Sequence, residues 1–133
     1  MTPPDPQLHD LPDPGQLVEA VRTFLEEEVL DATDGQVRFL VRVAANALRT
    51  VERQLALGPA QEAAHAERVR HLGYASNAEL VDGIRKGELD QHSGEVLAIL
   101  RQAVWDKVMV VNPRYVAPAR DAFDRTPEPP LTL

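Results

Sequence analysis

Apolar residues recur along most of this chain at the i, i+3, i+4 spacing of an amphipathic helix, and no stretch alternates with the period of a strand. Asp13-Pro14-Gly15-Gln16 opens the first helical pattern: Asp13 suits the N-cap, Pro14 the first helical position, and Gln16 can close a capping box. Leu17, Val18, Val21, Phe24, Leu25 and Val29 then share one face. Asp34-Gly35 is a turn signal. A second helix is predicted from Gln36 to Leu57, with Gly58-Pro59 as its stop. On it Val37, Leu40, Val41, Ala44, Leu48, Val51 and Leu55 fall on one arc, widened by Phe39, Val43 and Ala47, more than one neighbour covers. This is the expected central helix. Ala60 to His71 reads as an alanine-rich helix ended by Gly73. Ser76-Asn77-Ala78-Glu79 is a capping box for a short helix carrying Leu80, Val81 and Ile84 and stopping at Gly87. The last helix runs from Ser93 to Val111 and ends at Asn112-Pro113. Val110 and Val111 have strand character, but no partner strand is visible.

These patterns predict an all-α chain: a single-domain antiparallel bundle of four to five helices joined by short connections. Residues 1–12, with four prolines, read as an extended lead-in, 13–116 as the helical domain, and 117–133 as a Pro-rich flexible tail.

Composition narrows the function classes. The 133 residues include no cysteine, which excludes disulfides, thiolate metal sites and a cysteine nucleophile, and fits a reducing compartment such as the cytoplasm. The start has neither the basic nor the apolar segment of a signal peptide, and no apolar run is long enough to span a membrane. A net charge of −7 argues against nucleic acid as a partner. The charge is uneven. Residues 1–35 hold nine acids against one base, Arg22, whereas residues 36–57 hold four arginines against one acid, Glu52. The two segments are expected to attract each other or to present faces of opposite sign.

Two groups of residues could carry chemistry. Arg38, Arg42, Asn46, Arg49 and Arg53 share about 80° of the second helix. Arg38, Arg42 and Arg49 could clamp a carboxylate or phosphate, with Asn46 supplying an amide; the plainer reading, which is favoured, is a solvated face paired with the acidic first segment. Glu28 and Lys107 fall inside apolar arcs of the first and last helices. They could snorkel to water, pair with each other, or form a site in which burial lowers the lysine pKa. Glu26, Glu27 and Glu28 also sit at the unfavourable end of the first helix dipole, which either a specific partner offsets or the surface simply tolerates. Trp105 lies off the main apolar face, either as an interface residue or packed on a loop. His9, His65, His71 and His92 have no metal-ligand spacing, and there is no glycine-rich phosphate loop or Gly-x-Ser-x-Gly elbow. No catalytic residue, metal or cofactor is therefore assigned.

Three stretches resemble a short bacterial family classed as a domain of unknown function. They are Glu19-Ala20-Val21-Arg22-Thr23-Phe24-Leu25-Glu26; Arg38 to Leu48 with Glu52 to Pro59; and Asp106-Lys107 leading to Val111-Asn112-Pro113-Arg114-Tyr115. The resemblance covers about residues 8–116. Where the family usually has a proline after the first helix, this chain has Leu30-Asp31. The family's genes typically lie beside an aminoglycoside-phosphotransferase-like kinase and an acyl-CoA dehydrogenase. The resemblance thus implies an accessory protein in acyl-CoA or hydroxyacyl catabolism, and it draws attention to Arg114 and Tyr115 as interface candidates. It brings no catalytic residues with it.

The leading expectation is a non-enzymatic interaction protein that binds or modulates the kinase-like protein or the dehydrogenase. The second is a small-molecule or acyl-CoA binding module built on Arg38, Arg42 and Arg49, with Asn46 and Lys107 nearby. The third is a small enzyme with Lys107 as acid or base. Arcs as broad as those on the second and last helices also leave room for a homo-oligomer.

Overall fold

The computed structural model describes residues 8–9 and 11–116, so the expectations for 1–7, 10 and the 117–133 tail lie outside the described residues. Those described are helical or in turns, with no strand among them. Helix α1 spans Pro14–Phe24 and runs directly into a π-helical turn, Leu25–Val29. Helix α2 spans Gly35–His71, α3 Asn77–Arg85 and α4 Ser93–Val111, the last preceded by a 3₁₀ turn at Asp90–His92. The chain divides into two compact units whose boundary falls between Gly58 and Pro59, inside α2.

The start of α1 forms as its sequence predicts. The Gln16 amide donates to Asp13 Oδ1 at 2.8 Å and the Asp13 amide to Gln16 Oε1 at 2.9 Å, satisfying two donors that a helix start leaves without partners. Helix α2 departs from expectation. Gly58-Pro59 does not stop it; the helix continues through Pro59 to His71. Proline removes only its own bond, to the Leu55 carbonyl, and the run that follows is dense in alanine, the strongest helix former. The real stop is a Schellman motif: Gly73, at φ +93°, donates to the Arg70 carbonyl and Tyr74 to that of Val69. Gly87, at φ +78°, ends α3 in the same way, with Glu88 donating to Gly83. The α3 cap is a variant of the predicted box. Ser76 Oγ accepts from the Glu79 amide, but Glu79 Oε2 reaches back to the Ala75 amide rather than to that of Ser76.

In the first unit, Arg22 pairs with Glu52 and Glu26 with Arg49. Position rises in α1 as it falls in α2, so the two helices are antiparallel. Val41 and Ala45 are buried and Leu48 and Glu52 half-buried, which marks the stripe of α2 facing α1. Most of the apolar arc predicted for α2 lies outside that stripe, and Leu40 and Val43 are about half exposed. In the second unit the core is Val69, Leu80, Leu89 and Val96, with Leu72 and Tyr74 packed against it. Gln61 meets the Asp106 carbonyl while Val69 clusters with Val96, so the end of α2 runs antiparallel to α4.

Candidate functional site

The π turn organises the first unit's polar groups. A π turn adds a residue to the helix, here with the Leu30 amide donating to the Leu25 carbonyl. Of the three acids that sit badly with the dipole, Glu26 is answered locally, while Glu27 and Glu28 are exposed. Glu26 takes Arg49 Nη2 at 2.7 Å and Nε at 2.9 Å on Oε1, and Arg22 Nη1 at 2.8 Å on Oε2. Arg22 in turn holds Glu52 through Nε at 2.6 Å. The terminal carbonyls are capped too: Thr33 Oγ1 donates to Val29 and Leu30, and Arg38 Nη1 donates to Leu30. The hydrogen bond from Arg49, then that from Arg22, holds the Glu26 carboxyl below the usual glutamate range. The hydrogen bond to Glu52 raises Arg22 further.

Among the described residues, Glu26, Leu30, Val41, Arg42, Ala45 and Asn46 line an open cleft of about 370 Å³. Leu30, Val41 and Ala45 form an apolar floor. Arg42 and Asn46 are exposed, one helical turn apart. Among the described residues neither the Arg42 guanidinium nor the Asn46 amide has a hydrogen-bond or ion-pair partner.

The arginine stripe therefore divides. Arg49 is paired with the acidic first segment and Arg38 is spent on a backbone carbonyl, whereas Arg42 and Asn46 face the cleft. Lys107 belongs to the second unit. Lys107 and Glu28 are both exposed, so of the readings open to these two charges at apolar-arc positions the structure has both reaching water. The acid–base reading of Lys107 requires a buried lysine, and its exposure removes that basis. Trp105 is half-buried, while Arg114 and Tyr115 are exposed.

Sequence reasoning missed Glu26 and Leu30 as walls of the cleft, although the misplaced acids on the first helix were the signal that some partner existed. It also missed a polar cluster in the second unit. Asp106 accepts Gln102 Nε2 at 2.9 Å and lies 3.8 Å from Arg68 Nη1, within ion-pair range but beyond hydrogen-bond range. His65 Nε2 meets Asn77 Oδ1 at 2.8 Å, which leaves His65 Nδ1 and Arg68 Nη1 buried without hydrogen-bond partners. Nearby, Tyr74 donates to Glu88 at 2.8 Å, and that bond raises its phenol pKa.

Among the described residues no helix is long and apolar enough to cross a membrane, and no three His, Asp or Glu side chains gather as metal ligands. The family model described as a domain of unknown function, DUF6285, matches residues 31–115, more than half of the chain. The protein therefore belongs to that family, whose description names no activity. The match begins after Glu26 and Leu30, so two of the six cleft-lining residues stand outside it. No curated protein and no solved structure matches the chain.

Proposed function

We propose that this protein is an accessory binding protein that docks on a larger enzyme rather than catalysing a reaction itself. The observation that carries this reading is the apolar face of the α1–α2 pair. Taking about 100° per residue, Leu40, Ala44, Ala47, Val51 and Leu55 lie on one side of the stripe that faces α1, and Arg42, Asn46 and Arg49 on the other. Leu17, Val21 and Phe24 of α1 lie about 100° from its contact stripe of Val18, Arg22 and Leu25. In an antiparallel pair the two apolar rows fall on the same side. Phe24 is 57% and Leu40 52% exposed. A contiguous apolar face of this kind marks an interaction surface.

The enzyme's class comes from the resemblance. In the family this chain resembles, genes typically lie beside those of phosphotransferase-like kinases and acyl-CoA dehydrogenases, and by that association alone the reading places the partner in acyl-CoA or hydroxyacyl catabolism. Co-purification with each of these enzymes tests the reading. Association at concentrations on the order of micromolar is expected, and it is expected to be lost in Leu40→Asp and Val51→Asp variants that keep their helicity. Failure to associate with either enzyme, with their activities unchanged, overturns it.

A further inference from the structure

The cleft beside the π turn has a chemistry of its own, independent of the apolar face. Its charges reduce to one unspent cation. Glu26 and Glu52 are matched by Arg22 and Arg49, and the Arg38 guanidinium is engaged with the Leu30 carbonyl. Arg42 remains, with its planar fork of donors and no acceptor among the described residues. The Asn46 amide, one turn further along, supplies two more donors. Beneath them the floor is Leu30, Val41 and Ala45, all apolar, with Val41 and Ala45 buried.

We propose that this cleft binds a small aliphatic monocarboxylate: the carboxylate on Arg42 and Asn46, the hydrocarbon on Leu30, Val41 and Ala45. A guanidinium fork matches both carboxylate and phosphate. Three observations select the carboxylate. Glu26 forms part of the wall, and a second negative charge on the ligand would be repelled by it more strongly than one. Among the described residues one unpaired guanidinium faces the cleft, whereas a dianion calls for more. The apolar floor rewards a hydrocarbon tail, which inorganic phosphate lacks. A volume of about 370 Å³ lies near the small end of ligand sites, so the tail is short.

Calorimetry on the full chain with hexanoate tests this. Saturable binding is expected, weakened about tenfold or more in Arg42→Gln, the size of a lost charge-assisted hydrogen bond. Asn46→Ala is expected to weaken it by about fivefold, the size of a neutral one. Arg42→Lys keeps the charge but loses the fork, and is expected to fall between wild type and Arg42→Gln. Because Arg42 has no partner among the described residues, the variants should keep the wild-type circular dichroism spectrum, and this is checked alongside. Absence of hexanoate binding, equal binding of hexylammonium, displacement of hexanoate by inorganic phosphate at equal concentration, or unchanged affinity in Arg42→Gln would each overturn the proposal. Neither Arg42 nor Asn46 lies on the apolar face, so this result and the co-purification result can fail separately.

Discussion

Glu26 is the residue on which the first unit's electrostatics turn. It accepts from both Arg49 and Arg22, and Arg22 passes the linkage on to Glu52. Exposed pairs taken singly contribute little, but a chain of four charges with bidentate geometry is the arrangement most able to contribute. Because the folded state lowers the Glu26 pKa, its contribution is complete above the ordinary glutamate value of about 4.3 and disappears as pH falls through the lower folded value. Comparing urea midpoints of wild type and Glu26→Gln across pH isolates this one group from the other acids. The variant is expected to be less stable at neutral pH, with the gap closing on the acid side of that value. A gap that stays constant across the acid range would show that the ionised carboxylate is not what stabilises the pair. The attraction between an acidic first segment and an arginine-rich second helix is visible in the sequence. Which arginine is paired and which is left over is not, because Arg38, Arg42 and Arg49 share a face and differ only in what α1 brings to each. A π turn, which sets that register, leaves no periodic signature in a stretch as short as Leu25–Val29.

At the scale of elements, local rules were readable wherever a backbone group had one obvious solution. Asp13-Pro14-Gly15-Gln16 caps α1, Ser76 caps α3, and Gly73 and Gly87 adopt the left-handed conformation that ends a helix. Gly58-Pro59 misled because the same two residues permit either a stop or an interrupted helix. The choice belongs to the Ala-rich run beyond them, whose intrinsic preference outweighs one missing bond. This account makes a direct prediction. A proline inside a helix costs about 3 kcal/mol relative to alanine, while its stiffening of the unfolded chain returns up to about 1 kcal/mol. Pro59→Ala should therefore stabilise the protein by roughly 2–3 kcal/mol, read as a higher urea midpoint. A loss of stability would mean that residue 59 belongs to a true break between two helices.

For the whole molecule, the apolar pattern showed that the chain is helical, but it divided α2 in two and predicted burial poorly. The sequence shows that Leu40, Val43, Val51 and Leu55 share an arc with Val41, but periodicity cannot say which part of so wide an arc a neighbour occupies. In the structure α1 takes the Val41–Ala45 stripe, and Leu40, Val43, Val51 and Leu55 remain between 40% and 52% exposed. Large apolar groups left this open are under pressure to be covered, since each one fully buried gains roughly 1.5–3 kcal/mol. The enzyme partner proposed above would supply that cover. Without it, a second copy of the chain is the available substitute, because two such rows can pack against each other across a twofold axis. Light scattering on the isolated protein should accordingly give a mass above that of one 133-residue chain at concentrations on the order of 100 µM, falling toward one chain on dilution. Leu40→Asp should shift the equilibrium toward the single chain by placing a charge in the row, and Arg42→Gln, on the opposite side of α2, should leave it where it was. A single-chain mass for wild type at every concentration would show that the exposed row alone does not drive self-association, and it would remove self-pairing as the resting state from which an enzyme partner must compete.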